Sequence, residues 1–507
     1  MYPIQMPIGE LLRHRARLNP TLEALIGPKR RFTYLEYDQI TNQVAHYLLG
    51  LGIQKGDRIA LFSDTNVLFP ILYLGAAKAG AITVPINCRW SSDILEWSIQ
   101  HTEPKLIFFD DTYQSLVESL HTSIPTVKTS YFHDLDFKFE EELQSLPTSA
   151  PDVNMSSEDP VCITFTSGTT GKPKGVVITH HNLCAAGVFS GFSARNRQIG
   201  FRFLYATPLF HISGTSVIGF QPLCGYTYVF IPQLEPNLLL ETIEKEQINS
   251  TFLPPALLNI MLPMFFNSDR NLGSLLDITT GGSNLPLSLI RDYESIGYHL
   301  FQGYGCTETA GILSFWDSGM GYDTSGSVGK PVFGEVKVLD RHTREEVPPG
   351  EIGELAFRGP TVFKEYWRNP EATEKAFHKG WLLMGDAVRV DEEGLIYLVD
   401  RYKDVIYFSG LDAIYPSQVE KVLQQMDEIS EVSVVGVQNE RWGELPCAFI
   451  VPKAGTDLTR DQVLQFARER MEKHKLAEVI LIDQLPKNAT GKVDKGKLKE
   501  MYRSLAS

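Results

Sequence analysis

Residues 164–175 read TFTSGTTGKPKG. The stretch gathers Gly168, Gly171 and Gly175, the hydroxyls of Thr166, Ser167, Thr169 and Thr170, and the ammonium groups of Lys172 and Lys174. Glycine admits dihedrals that a Cβ resists, so successive N–H groups can turn toward one anion. The hydroxyls add short donors and the lysines add mobile positive charge, which offsets the mutual repulsion of phosphates. A Gly/Ser/Thr cluster alone reads as a surface loop. Here the apolar run 161–165 predicts a buried strand before it and 176–178 another after it, so the glycines are pinned between two β elements. The P-loop NTPase pattern does not fit, because Thr166 stands where its first glycine belongs and Pro173 follows Lys172.

Outward from this loop, the pattern over 32–85 predicts helix 34–51, strand 58–63, helix 67–79 and strand 81–85, the alternation of a parallel α/β sheet. Similar alternation runs on to about residue 311. From 327 to 399 short strands broken by Gly and Pro, as in EIGELAFRGP, predict a small β-barrel or sheet. After Arg401 come a helix opening at Pro416, strand-like runs 431–437 and 447–451, an amphipathic helix 460–475 and a Lys/Gly-rich tail. That is the outline of a compact α+β domain of about one hundred residues.

The chain has 507 residues, enough for two to four domains. Its 43% hydrophobic and 21% charged content is that of a globular protein. A net charge of −14 argues against nucleic acid as the main partner. The 6 cysteines are scattered without CxxC spacing, so neither a zinc site nor a disulfide framework is signalled, and a reducing cytoplasm is the expected location. The first twenty residues mix acid and base and do not read as a signal peptide. No apolar run approaches the ~18 to 20 residues of a membrane span.

Five blocks in order carry a resemblance: TFTSGTTGKPKGVVITH, PLFHISG (208–214), QGYGCTETAG (302–311), GWLLMGD with VDRYKD (380–386 and 399–404), and PKNATGK (486–492). Together they resemble the acyl-adenylate-forming superfamily, which includes acyl-CoA synthetases, firefly luciferases and nonribosomal adenylation domains; the pattern is most similar to fatty-acyl and aryl acyl-CoA synthetases. The resemblance implies ATP, Mg²⁺ and CoA, an adenylating domain over 1–402 and a mobile lid over 403–507. A carboxylate is a poor electrophile at neutral pH, and an acyl adenylate supplies the leaving group it lacks.

Residue by residue, the resemblance assigns phosphate contact to the 166–171 loop and Lys174, and metal contact to Glu308 and Thr166. Tyr304 and Gly305 would lie against the nucleotide, with Thr307 on phosphate. Gly281, Gly282 and Ser283 would line the adenine pocket, although Asn284 replaces a frequent proline. Asp386 would accept from the ribose hydroxyls, and Arg401 would reach the nucleotide from the other side. Lys403 falls at the hinge, Ser409 and Gly410 in the following VIYFSG segment would bind cofactor, and Lys492 is the lysine that the lid delivers to the adenylation step. His211 matches a histidine that gates the acyl pocket.

PLFHISGTS lacks the aspartate with which amino-acid adenylating relatives hold an ammonium, so an α-amino acid is disfavoured. The largely apolar segments 210–218, 279–285 and 311–315 point to a fatty or aryl acid. Leu411, Asp412 and Ala413 make the loop before Pro416 one residue longer than the family pattern, which leaves a carrier-protein pantetheine arm as the alternative acceptor to CoA. The alternatives from other classes are a non-catalytic nucleotide-binding relative and a luciferase-like oxygenase. Lys492, Glu308, Asp386 and Arg401 together speak against the former, and nothing in the sequence demands oxygen chemistry.

Overall fold

The computed structural model describes residues 6–123, 128–131, 137–166, 172–193, 198–205, 207–283, 285–408, 412–439, 443–487 and 492–506. Ser167, Gly168, Thr169, Thr170 and Gly171 of the anion loop therefore lie outside the described residues, as do Asn284, Ser409, Gly410 and Leu411. The chain divides into two compact units, one of Met1–Glu335 with Phe357–Leu382, the other of Val336–Ala356 with Leu383–Ser507. This line differs from the 402/403 boundary: residues 336–356 and 383–402 belong with the carboxy-terminal unit.

The first unit is built on two sheets. In the seven-stranded one the spatial order is Glu365–Tyr366, Lys174–Thr179, Pro160–Thr166, Ile82–Pro85, Arg58–Phe62, Leu106–Phe109 and Lys128–Tyr131. Its central strands are parallel and, apart from the half-buried Arg58, buried on both faces, as strands covered by helices on either side must be. The α/β alternation read over 32–85 is present as helix Tyr34–Gly50, strand Arg58–Phe62, helix Leu68–Lys78 and strand Ile82–Pro85. Thr33 and Glu36 start the first of these helices with a reciprocal capping box. Strands Pro160–Thr166 and Lys174–Thr179 pair antiparallel around the anion loop, at the sequence positions expected of them.

The nine-stranded sheet runs Lys330–Pro331, Ser314–Trp316, His299–Tyr304, Asp277–Gly281, Ser250–Phe252, Arg202–Tyr205, Thr227–Phe230, Glu23–Ile26 and Arg31–Thr33. Ile278, Leu300, Leu258, Ile290 and Tyr293 close its core. Tyr304 and Gly281 end neighbouring parallel strands, and Thr166 ends a strand parallel to Ile82–Pro85. The carboxyl ends of parallel strands are where α/β sheets bind ligands.

The stretch 327–399 is less unified than its pattern implied. Lys330–Pro331 joins the nine-stranded sheet and Glu365–Tyr366 the seven-stranded one, leaving Glu335–Leu339, Gly353–Arg358, Phe377–His378, Trp381–Val390 and Ile396–Arg401 as a five-stranded sheet. Two-residue strands carry too little alternation to announce which sheet takes them.

In the second unit, strands Ile429–Asn439 and Gly443–Pro452 pair antiparallel. Val432, Val434, Ala448 and Ile450 face one core with helix Pro416–Leu423, while Val435, Val437, Cys447 and Phe449 face another with Leu498. This is the period-two partition of a sheet covered on both sides. The amphipathic helix ends at Arg468, earlier than the expected 475. The Lys/Gly-rich tail contains a further helix, Lys495–Ala506, held by Leu498, Met501 and Tyr502. Among the described residues no helix is long and apolar enough to cross a membrane.

Candidate active site

In the first unit, Thr166 and Lys174 are direct cross-strand neighbours at the mouth of the anion loop. The two lysines of the motif rest on aromatic faces: Lys172 Nζ lies 5.5 Å from the ring centroid of Trp97, and Lys174 Nζ lies 4.8 Å from that of Tyr366. Cation–π contact leaves both charges in place while restricting where they swing.

Strand His299–Tyr304 leads into a short 3₁₀ turn, Thr307–Thr309, which carries Glu308. Two glycines make this approach possible. A Cβ on Gly281 would come within 2.5 Å of the Gly303 carbonyl oxygen, and one on Gly305 would come within 2.0 Å of the Gly311 carbonyl oxygen. Backbones this close require the absence of a side chain. Tyr304 and Thr307 are buried, while Gly282 and Ser283 are exposed.

Glu308 is held from two directions by one segment. The Phe363 N–H donates to its main-chain oxygen at 2.8 Å, and the Tyr366 hydroxyl donates to its Oε1 at 2.7 Å. Burial first, and then the neighbouring Glu308 charge, hold the Tyr366 phenol far above the usual tyrosine range, so it remains a donor. Tyr366 reaches this position because Glu365–Tyr366 pairs antiparallel with Lys174–Thr179, with Tyr366 opposite Val176.

His211 is exposed and caps helix Ile212–Cys224, its Nδ1 accepting from the Ser213 N–H at 3.5 Å. It is not a core histidine. Behind it, Gly214, Thr215, Ser216 and Ile218 are buried along the helix, and the Ser216 hydroxyl donates to the Ala310 carbonyl at 2.7 Å. Leu313 and Ser314 are buried as well.

In the second unit, Asp386 and Arg401 are register partners on antiparallel strands, with Arg401 Nε 2.6 Å from Asp386 Oδ1. Asp386 is only 4% exposed. Lys492 belongs to the same charged group. Its pKa is lowered, first by the protein crowded around it, then by Arg401, against the opposing pull of Asp386, with Lys403 lowering it further. The residue nevertheless stays open to water, so the direction of this shift carries the meaning and solvent screening limits its size. Asp400, next to Arg401, accepts from the Ser417 N–H at 2.8 Å and so supplies an anion at the start of helix Pro416–Leu423.

The sequence pattern of the AMP-binding enzyme family matches residues 12–367, and that of the AMP-binding enzyme C-terminal domain matches residues 418–492. The chain belongs to the AMP-binding enzyme family. Over 97% of its length it is 37% identical to the putative acyl–CoA ligase YdaB of Bacillus subtilis, 98% of which is covered. The long-chain-fatty-acid–CoA ligase FadD13 of Mycobacterium tuberculosis is 33% identical over 98% of both chains. Among solved structures, the O-succinylbenzoate coenzyme A synthetase MenE of Bacillus subtilis, in complex with ATP and magnesium ion, superposes with a TM-score of 0.85 at 27% identity, covering 98% of this chain and 100% of that one. With ligases of this kind matched from end to end, this AMP-binding enzyme is an acyl-CoA synthetase of the AMP-forming type.

The residues present fit the nucleotide and its metal. Among the described residues no group of three His, Cys, Asp or Glu side chains converges on one point. Mg²⁺ is held by one or two hard oxygen ligands together with substrate phosphates rather than by an all-protein cage. Glu308 and Thr166 offer oxygens of that kind. The 402/403 boundary expected from the sequence put Asp386 and Arg401 with Thr166, Lys174, Gly281, Tyr304, Gly305, Thr307 and Glu308; in the structure the latter seven lie in the first unit, whereas Asp386 and Arg401 lie with Lys403 and Lys492 in the second. The sequence reasoning missed Tyr366 and Asp400. KEYWRN carries no periodicity that would single out Tyr366; only the pairing with the lysine-bearing strand does so.

Proposed function

We propose that this acyl-CoA synthetase adenylates a fatty or aryl carboxylic acid with ATP, releasing pyrophosphate, and then transfers the acyl group to the thiol of CoA. The observation that carries the reading is the grouping of Lys492 with Asp386 and Arg401, although Lys492 stands far from both in sequence. A nucleotide-binding protein without chemistry has no need of an ammonium group there.

In the first step, one carboxylate oxygen of the acid attacks the α-phosphorus and the bond to pyrophosphate breaks. Two anions must approach, and Lys492 offsets their repulsion. Thr166, Lys174 and the 167–171 loop neutralise the outgoing phosphates, while Thr307 contacts the α-phosphate. Tyr304 lies against the adenine between Gly281 and Gly305, and Asp386 accepts from the ribose hydroxyls with Arg401 beside it. Magnesium, when bound at Glu308 and Thr166, supplies positive charge that stabilises the phosphates as they separate. In the second step the CoA sulfur attacks the acyl carbonyl and AMP leaves.

Segment 403–507 turns about Lys403 between the steps, withdrawing Lys492 and admitting the thiol. His211, exposed at the start of helix Ile212–Cys224, stands at the mouth of the acyl pocket. The lining contributed by Gly214, Thr215, Ser216, Ile218 and Leu313 offers no carboxylate for an ammonium and favours an uncharged tail.

The test is pyrophosphate release from ATP and Mg²⁺ over a panel of fatty, aryl and amino acids, with and without CoA. Acid-dependent release by fatty or aryl acids is expected, followed by CoA-dependent formation of a thioester. No release with any acid would remove the enzymatic reading. Thioester formation on a carrier-protein arm and not on CoA would change the acceptor.

A further inference from the structure

The geometry points to Tyr366 as a positioning residue that fixes the Glu308 carboxylate for the metal and, through the same ring, aligns Lys174 with the phosphates. Its hydroxyl meets Glu308 Oε1 at 2.7 Å and its ring centroid lies 4.8 Å from Lys174 Nζ. The backbone of the same segment holds Glu308 a second time, through the Phe363 N–H. One short strand thus joins the two charges that the phosphates and their metal must find at fixed places.

A glutamate on a turn has three side-chain torsions to order before it can serve a metal, and that ordering costs free energy at each binding event. A donor on one oxygen selects one rotamer and spends no cation on doing so. A lysine or arginine in the same place would fix the carboxylate and also compete with Mg²⁺ for its charge. The Tyr366 ring packs on Phe363 with centroids 4.8 Å apart, so the hydroxyl cannot drift from the carboxylate without repacking the segment.

The inference rests on Glu308 being the metal ligand, and the experiment separates the two claims. ATP binding to the full chain is measured by calorimetry across a Mg²⁺ titration, for the unsubstituted protein, Tyr366→Phe and Glu308→Gln. Tyr366→Phe keeps the ring under Lys174 and removes only the donor. ATP affinity without metal should match the unsubstituted protein, while half-saturation by Mg²⁺ rises about tenfold, the scale on which partners of metal ligands act. Glu308→Gln should remove the Mg²⁺ enhancement. If the Tyr366→Phe curve overlays that of the unsubstituted protein while the Glu308→Gln curve is displaced, the positioning role is overturned and the metal assignment stands. If both overlay, the metal assignment falls and takes the inference with it. A 3-fluorotyrosine at position 366 gives a second reading on a nearly native protein: its ¹⁹F resonance should move when Mg²⁺ joins the ATP complex, and a fixed resonance would overturn the proposal.

Discussion

Glu308 and Asp386 are both half- to fully buried carboxylates assigned to the nucleotide, and they are held by opposite means. Glu308, in the first unit, is met by a neutral phenol and by a main-chain N–H on its own carbonyl. Asp386, in the second, is met by the guanidinium of Arg401 at 2.6 Å. A phenol orients a carboxylate without spending its charge, which suits the metal-binding role proposed for Glu308. A guanidinium both orients and neutralises, which suits the role proposed for Asp386, accepting from hydroxyls with an ammonium for a neighbour. On these proposed roles, the kind of residue that holds each carboxylate matches the chemistry the carboxylate would face.

The largest effect should come from removing the ammonium beside Asp386. Lys492→Ala should lower carboxylate-dependent pyrophosphate exchange about a thousandfold, the scale of losing one preorganised charge in a reaction that develops charge. Thiolysis of a supplied acyl adenylate should continue near its original rate. Equal loss of both steps would show that Lys492 maintains the second unit rather than serving adenylation.

The next prediction breaks the Asp386 arrangement itself. Asp386→Asn should raise the half-saturating ATP concentration about tenfold, since hydrogen bonds to a charged group are worth roughly 1.5–3 kcal/mol. It should also change the pH profile in a determined direction. Lys492 acts protonated, and its pKa already lies below the ordinary lysine value, so adenylation is lost as pH rises through that lowered pKa. Removing the Asp386 anion lowers it further and moves the alkaline limb to lower pH. Removing a cation with Arg401→Gln moves the limb to higher pH. The corresponding change in the first unit, Glu308→Gln, should leave the alkaline limb in place and alter the response to Mg²⁺. If both carboxamides shifted the limb alike, the contrast between the two carboxylates would be lost.

Much of this arrangement was legible in the sequence because it rests on strong local signals. The apolar runs 161–165 and 176–178 read as strands on either side of the glycines, and strands Pro160–Thr166 and Lys174–Thr179 pair there. The helix–strand alternation over 32–85 survives almost residue for residue because burial on both faces demands it. What escaped depends on distant pairing. Glu365–Tyr366 is two residues long, and its role comes from the strand beside it and from Glu308, which lies far away in sequence. Helix Lys495–Ala506 hid in a lysine-rich tail, where its stripe of Leu498, Met501, Tyr502 and Leu505 is interleaved with charged side chains. Asp400 reads as one more surface acid, and only the fold shows that it caps a helix beginning at Pro416.

That last contact yields the smallest and most discriminating prediction. Asp400 and Ser417 lie on either side of Lys403, and so do Arg341 and Tyr407, whose hydroxyl accepts from the guanidinium at 2.8 Å. Arg341 also lies 4.6 Å from the ring centroid of Tyr402, immediately before the pivot. If 403–507 turns as a body, a hydrogen bond that spans the pivot in one orientation is stretched in the other, and its strength biases the balance between them. An anion at a helix N-terminus contributes about 0.3–1 kcal/mol, which corresponds to a two- to fivefold change in that balance. Asp400→Asn should therefore slow pyrophosphate exchange by about that factor and leave thiolysis of a supplied adenylate unchanged or slightly faster. Arg341→Gln should act in the same direction and add to it. If Asp400→Asn slowed both steps equally, or lowered the thermal midpoint while leaving their ratio untouched, Asp400 would be a helix cap and nothing more, and the pivot would have to lie outside the segment that these two contacts bracket.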